Sequence, residues 1–262
     1  METLRVSLLQ LATLWHDPPG NRKLYGQAMA TLAGASDLIV LPETFTSGFS
    51  NEAADSAERM EGETVAWMRA QAAATGAAVV GSLPIRAEGG VYNRLLFATP
   101  EGELHAYDKR HLFRMAGEHE RYAQGRRRVL IPYRGWRILP QICYDLRFPV
   151  FMRNRGDYDL ILLVANWPAA RHAHWRTLLR ARAIENLAFV VAVNRVGRDG
   201  NGLDYAGGSA VIDPEGRRLV ELGPEPQVVT VRLDGESLRA WRARFPADRD
   251  ADRFILEEDS PS

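Results

Sequence analysis

A single α/β domain with many strands is what this chain predicts, and three features of its 262 residues predict it. Short apolar runs rich in β-branched residues recur along its length. Stretches with helical spacing of apolar residues lie between them. The length suits one large domain or two small ones, and no segment is long or simple enough to be an inter-domain linker. The expected single domain therefore spans 1–262, ending in a polar tail from about residue 246.

The strand-like runs are Leu4–Leu11, Leu38–Leu41, Ala77–Leu83, Arg94–Ala98, Arg137–Ile142, Leu160–Val164, Phe189–Val193, Gly208–Ile212 and Val228–Leu233. Several are apolar at nearly every position, as in Leu160-Ile161-Leu162-Leu163-Val164. A half-exposed strand alternates polar and apolar residues, whereas a strand covered on both faces reads as a continuous apolar run.

Among the helical stretches, Pro19–Ala33 is expected to bury Leu24, Ala28 and Leu32, with Gly34 as its C-terminal stop. Gly62–Thr75 is alanine-rich and reads the same way. In His174–Asn186, Leu178, Leu179, Ala181, Ala183 and Ile184 form the expected packed side, with arginines on the wet one. A last helix covers Gly235–Phe245. Gly89-Gly90, Asp199-Gly200-Asn201-Gly202 and Asp213-Pro214-Glu215-Gly216 mark turns. The polar tail ending Glu257-Glu258-Asp259-Ser260-Pro261-Ser262 is expected to fray unless a partner subunit holds it.

Charge and composition narrow the functional classes. Lys plus Arg and Asp plus Glu number 33 each, so no bulk field draws the protein to nucleic acid or to an anionic membrane. The run Arg126-Arg127-Arg128 reads as a solvated loop. One cysteine permits no internal disulfide and fits a reducing compartment. The N-terminus lacks a signal-peptide pattern, and no apolar run reaches the roughly 20 residues that cross a bilayer. A cytoplasmic enzyme or binding protein is the expectation.

Three segments hold residues suited to chemistry. Cys143 ends the apolar run of Leu139-Pro140-Gln141-Ile142-Cys143-Tyr144-Asp145-Leu146-Arg147-Phe148-Pro149, with a helix expected near Phe148-Pro149. A strand-to-helix turn holds a thiol rigidly, aims backbone N–H groups at a developing oxyanion and favours the thiolate. The alternative is a small buried apolar residue. Glu43 closes Leu38-Ile39-Val40-Leu41-Pro42-Glu43, at a strand end, where apolar neighbours suit a general base. It reads equally as a capping or loop glutamate. Lys109, in Tyr107-Asp108-Lys109-Arg110-His111-Leu112, would be a surface lysine if it stood alone.

Together these blocks resemble the nitrilase (carbon–nitrogen hydrolase) superfamily, in order and in approximate spacing. Asn166-Trp167-Pro168, Arg182-Ala183-Ile184-Glu185-Asn186 and Asn194-Arg195-Val196-Gly197 are similar to that family's later blocks, so the resemblance runs from Val6 to about Val231. The Cys-Tyr-Asp-Leu-Arg-Phe block most resembles the ω-amidase branch, which hydrolyses the side-chain amides of 2-oxo acids.

The resemblance implies an α-β-β-α sandwich of two facing sheets covered by helices, commonly dimeric, needing no metal or organic cofactor. It implies that Glu43, Lys109 and Cys143 converge as a catalytic triad, with Lys109 and the Tyr144 N–H on the oxyanion. A second family glutamate matches Glu118 or Glu120, and Glu118 suits the distance to Gly125 better. A substrate carboxylate needs a cationic clamp: Arg147 is nearest in sequence, with Arg114 and Arg195 as further candidates. Phe113, Trp167 and Tyr144 are candidate pocket walls. Other carbon–nitrogen hydrolases (a nitrilase proper, a carbamoyl-amino-acid hydrolase) and a non-catalytic binding protein are the competing readings. His172 and His174 give only a weak metal signal, having no convincing carboxylate or cysteine beside them.

Overall fold

The computed structural model describes residues 1–256, and its architecture is two six-stranded mixed sheets stacked face to face between helices. In the first sheet, β1 (Leu4–Gln10), β2 (Leu38–Val40) and β3 (Ala78–Ala87) run parallel, with β4 (Gly90–Ala98) and β5 (Leu104–Asp108) antiparallel beyond β3. In the second sheet, β6 (Ile131–Tyr133) pairs antiparallel with β7 (Trp136–Ile142), which lies parallel to β8 (Leu160–Ala165) and β9 (Phe189–Asn194). A small hairpin follows, β10 (Val196–Arg198) with β11 (Asp204–Ala206). The second sheet is then finished by β12 (Ala210–Ile212) and β13 (Arg218–Glu221), and β14 (Gln227–Leu233) returns to the free edge of β1.

The strand periodicity explains the layering. Leu160, Leu162 and Val164 of β8 point into the core between the sheets, where they meet Leu4, Val6 and Leu8 of β1. Ile161, Leu163 and Ala165 point the other way, toward Trp175, Leu179 and Ala183 of α5 (His172–Asn186). On the far side of the first sheet, Leu9, Ile39 and Val79 pack against Tyr25 and Met29 of α1 (Pro18–Ala30) and against Val65, Met68 and Ala72 of α2 (Glu63–Thr75). Both faces of the central strands are thus covered, which is why their sequences do not alternate. The expected α-β-β-α sandwich is the fold.

Several local expectations change. Helix α1 buries Asn21, Tyr25 and Met29, while Leu24 and Ala28 are half-buried; it ends at Ala30, and Gly34 takes its left-handed φ of 70° in the following loop. In α5 the inward stripe is Trp175, Leu179, Arg182, Ala183 and Asn186, whereas Ile184 is 46% exposed. Arg182 turns inward because its guanidinium donates to the Leu146 carbonyl at 2.7 and 3.1 Å, capping the turn that follows Cys143. Within the basic run, Arg126 and Arg127 are exposed but Arg128 pairs with Asp157. In the tail, Phe254 lies under the Arg155 guanidinium, 5.0 Å from ring centroid to carbon, and Leu256 packs against the central core. The rest of the expected tail, 257–262, lies outside the described residues.

Pro140 sits inside β7, where a missing N–H would normally break a ladder. The partner β6 covers only Ile138 to Trp136, so beyond that point β7 bonds on one side alone, to β8. Beyond Ile138 that lateral edge of β7 has no strand beside it, and Cys143 follows directly where the strand ends at Ile142.

Candidate active site

The site gathers at the carboxyl ends of the parallel strands, where loops leave a sheet and reactive groups are held at its rim. Glu43 follows β2, Cys143 follows β7, and Asn166 follows β8; Lys109 follows β5. Two residues at these exits have left-handed backbones without being glycine: Thr44 at φ 40° and Cys143 at φ 44°. Such conformations cost on the order of 1–3 kcal/mol each and persist where surrounding contacts impose them.

Those contacts are visible at both. The Thr44 N–H donates to Ser82 Oγ at 2.9 Å, and the Asn166 amide donates to Thr44 Oγ1 at 2.9 Å and to the Glu43 carbonyl at 2.8 Å. Cys143 opens a tight 3-10 turn, Cys143–Arg147, clamped by Asp145. One carboxylate oxygen of Asp145 accepts the Ile142 N–H (2.9 Å) and the Tyr107 hydroxyl (2.8 Å). The other accepts the His111 N–H (2.9 Å) and lies 2.7 Å from His111 Nδ1. α4 (Pro149–Met152) begins directly after the turn, as expected.

Lys109 is the centre of charge. Its Nζ lies 2.8 Å from Glu43 Oε1 and 2.9 and 3.0 Å from the two oxygens of Glu118, which opens the short helix α3 (Glu118–Arg121). All three side chains are buried, and Glu43 is further held by Asn93 Nδ2 and by the Asn166 N–H, each at 2.8 Å. Glu118 is therefore the second glutamate of the cluster; Glu120 is exposed. Burial opposes the ammonium charge of Lys109, but Glu118 and Glu43 outweigh it and hold its pKa well above the ordinary lysine range. Burial and the nearby Glu43 push the Glu118 carboxyl up, against the pull of Lys109.

The expected lowering of the thiol pKa is reversed. Cys143 keeps part of its surface on the pocket, yet protein crowds the sulfur closely enough that burial, reinforced by Glu43, outweighs Lys109 and pushes the thiol well above its usual value. Cys143 Sγ lies 3.8 Å from the Asn166 carbonyl, with the Glu43 carboxylate also beside it.

A cavity of about 240 Å³ opens over Cys143 and Lys109. Tyr144, Phe113, Trp167 and Arg147 line it. Arg195 and Arg114 do not. Arg195 is buried behind the cavity, donating to the Thr13 carbonyl at 3.0 Å and stacking over Tyr205 at 4.8 Å, because the Asn194-Arg195 corner turns it inward. Arg114 is exposed on the outer surface of the loop before Glu118. The histidines serve elsewhere: His174 Nδ1 lies 3.1 Å from Arg147 Nη2, and His172 packs beside Gly208. Among the described residues no group of three or more His, Cys, Asp or Glu side chains is placed to hold a metal ion.

The sequence reading missed Asn93, Asp145, Arg171 and the anchoring role of Asn166. Asn166 and Asp145 stood in blocks already singled out. Asn93, mid-strand in β4, carried no local signal, since only the pairing of β4 with its neighbours brings it to Glu43. Arg171, in Arg171-His172-Ala173-His174, was passed over for the histidines beside it; it lines the cavity.

Comparison with known proteins identifies the family. The carbon–nitrogen hydrolase profile matches residues 5–243. The chain is 49% identical over 260 residues to omega-amidase YafV of Escherichia coli, covering 98% of this chain and 100% of that protein. It is 32% identical over 246 residues to 2-oxoglutaramate amidase of Bacillus subtilis, covering 92% and 95%. The crystal structure of XC1258 from Xanthomonas campestris, a CN-hydrolase superfamily protein with an arsenic adduct in the active site, matches with a TM-score of 0.97. The two chains are 61% identical, with 98% of this one and 100% of that one covered. With the fold, the profile and near full-length relatives in agreement, the chain belongs to the carbon–nitrogen hydrolase family.

Proposed function

We propose that the enzyme is a thiol-dependent ω-amidase, hydrolysing the side-chain amide of a small 2-oxo acid monoamide such as 2-oxoglutaramate or 2-oxosuccinamate. The observation that carries this reading is the buried Glu43–Lys109–Glu118 cluster beside the chain's single thiol, at the floor of a cavity suited to a small ligand. The names of the Escherichia coli and Bacillus subtilis relatives support the substrate class. The arsenic adduct in the Xanthomonas protein supports a reactive thiol, since arsenic is thiophilic and Cys143 is the sole thiol here.

In the proposed cycle Glu43 takes the proton of the Cys143 thiol as sulfur attacks the carboxamide carbon. This coupling suits a thiol whose pKa is pushed up, because little free thiolate exists beforehand. The charge that develops on oxygen is met by the Lys109 ammonium and by the Tyr144 N–H, which lies in the opening turn after Cys143, where N–H groups have no partner within the helix. One preorganised donor of this kind is worth about 3–4 kcal/mol of barrier. Glu43 then passes its proton to nitrogen, the C–N bond breaks, and ammonia leaves a thioester on Cys143. Water, deprotonated by Glu43, attacks that thioester. The C–S bond breaks, sulfur recovers the proton, and the carboxylic acid departs. Glu118 holds Lys109 in place through both carboxylate oxygens, and Arg147 is the proposed carboxylate contact, with Phe113 and Trp167 as walls. Every step uses a side chain of this site, and none requires a metal or organic cofactor.

We also propose that the chain is one hydrolase domain acting as a homodimer in the cytoplasm. Its single cysteine suits a reducing compartment, and among the described residues no helix is long and apolar enough to cross a membrane. Sedimentation at micromolar concentration tests the dimer.

The deciding experiment is ammonia release from 2-oxoglutaramate and 2-oxosuccinamate, with Cys143→Ala as the control. Cys143-dependent release is the expected result. Release by Cys143→Ala at the wild-type rate would sink the mechanism. No release from folded wild-type protein would move the substrate to nitriles, carbamoyl amino acids or other amides.

A further inference from the structure

Around the mouth of the cavity five residues form a closed ring. The Arg147 guanidinium lies over the Trp167 ring at 4.9 Å and over Tyr144 at 5.9 Å. Tyr144 meets Phe113 at 5.0 Å between centroids, and Arg171 lies over Phe113 at 5.3 Å. The ring closes where Trp167 Nε1 donates to the Arg171 carbonyl at 2.8 Å. All five residues line the cavity.

The two cations in this ring are unusual in what they lack. The chain pairs most of its inward arginines with carboxylates, as at Arg94–Asp108, Arg137–Asp159 and Arg128–Asp157. Among the described residues Arg147 and Arg171 have no carboxylate partner, and the Arg171 side chain has no hydrogen bond. Each guanidinium instead lies over an aromatic ring. That leaves the Arg171 N–H fork free for a ligand, while Arg147 keeps Nη2 on His174 Nδ1 at 3.1 Å and offers its remaining N–H groups. A stacked guanidinium has also lost much of its rotational freedom already, so ordering it on binding costs little.

We propose that Arg171 is a specificity-determining residue of this site. With Arg147 it forms a two-guanidinium clamp for the carboxylate at the end of the substrate remote from the scissile amide. The proposal rests on the ω-amidase reading and deepens it: the substrate class becomes an amide that carries an anionic group, and Arg171 joins Arg147 in recognising it. Two stacked forks on neighbouring walls give a carboxylate two sets of donors, and the aromatic walls exclude water from the pairing. A neutral amide of equal length gains nothing from either arginine and leaves both cations to water.

Two variants and two readouts test this. Arg171→Met keeps a long apolar stem against Phe113 and removes the charge; Arg171→Lys keeps the charge and removes the fork. The first readout is the ratio of kcat/KM for glutaramate, a five-carbon amide ending in a carboxylate, to that for pentanamide, its neutral counterpart. Wild-type protein should favour glutaramate. Arg171→Met should lower that ratio about 10- to 100-fold, the range for a hydrogen bond to a charged group, mainly through KM, and Arg171→Lys should restore part of it. The second readout is equilibrium binding of 2-oxoglutarate to the Cys143→Ala protein, with and without Arg171→Met, which needs no turnover. Binding weakened about 10-fold or more by Arg171→Met, and weakened further by salt, is the expected result. An unchanged ratio together with unchanged 2-oxoglutarate binding in Arg171→Met would overturn the clamp while leaving amide hydrolysis standing. Wild-type protein that hydrolyses pentanamide as well as glutaramate would overturn both the clamp and the 2-oxo acid reading.

Discussion

Asn166 grips Glu43 by two routes and touches the nucleophile by a third. Its backbone N–H donates to Glu43 Oε2 at 2.8 Å, its side-chain amide donates to the Glu43 carbonyl at 2.8 Å, and its own carbonyl faces Cys143 Sγ at 3.8 Å. Glu43 comes from the first sheet while Asn166 and Cys143 come from the second. This one residue therefore fixes the proposed base against the proposed nucleophile across the sandwich. Asn166→Ala keeps the backbone donor and loses the side-chain clamp. It should lower kcat about 100-fold, the scale of a small misplacement of reacting groups, while the melting temperature falls by only a few degrees. Steady-state kinetics beside thermal unfolding check this; equal kcat would remove Asn166 from the positioning of Glu43.

Lys109 neutralises one of two buried carboxylates, so its loss should be felt in stability as well as in turnover. Lys109→Met leaves Glu43 and Glu118 facing each other in the core without a cation. Removing one partner from a buried ion pair costs about 3–5 kcal/mol, and urea denaturation should show a loss of that size. The double variant Lys109→Met/Glu118→Gln should recover part of it, since one carboxylate is then uncharged. Neither variant should turn over amide.

The sign of the Lys109 shift gives a test in alkali. Its folded pKa stands above the unfolded value of about 10.4, so its contribution to stability is fully present below that value. The contribution is lost as pH rises through the folded pKa. Stability measured by urea between pH 8 and 11 should decline less steeply in Lys109→Met than in wild type at the upper end. Parallel slopes would mean that the charge of Lys109 is not held by the fold.

Cys143 should behave as a slow thiol. With its pKa pushed up by burial and by Glu43, the rate of alkylation by iodoacetamide should stay low at pH 7 and rise only beyond the ordinary thiol value of about 8.5. Replacing Glu43 with Gln removes one of the two causes. Turnover should vanish while the alkylation profile moves to lower pH, an opposite response of two readouts to one substitution. A profile that moves upward would show that Glu43 stabilises the thiolate rather than opposing it.

Asp145 is the clamp of the nucleophile turn, and Asp145→Ala releases four contacts at once, to Ile142, Tyr107 and twice to His111. Orphaned buried donors cost about 1–3 kcal/mol each, so the variant should be destabilised by several kcal/mol. Asp145→Asn keeps the shape with one acceptor fewer and should remain folded with reduced kcat. Equal activity in Asp145→Asn would separate the turn from catalysis.

Much of the sandwich was legible because its strands are continuous apolar runs, as in β8 and β9, and a run of that kind needs cover on both faces. The missed strands, β5, β6, β10, β11 and β13, are short or mixed in polarity and take their form from pairing at sheet edges or in a hairpin. Helix faces were read less well than helices. Ile184 points to solvent and Arg182 inward because the Leu146 carbonyl offers a buried acceptor that no periodicity reveals.

By itself the sequence determined the alternation of strands and helices, the single thiol at a strand exit, and the order of the Glu43, Lys109 and Cys143 blocks, since apolar periodicity and residue chemistry are local properties. Only the tertiary structure decided the rest. It chose Glu118 over Glu120, turned Arg195 into a buried support, raised the thiol pKa that a strand-to-helix turn alone would lower, and brought Asn93 and Arg171 to the site. Each of those outcomes depends on which distant groups share a buried volume, and burial and Coulomb interaction act through space rather than along the chain.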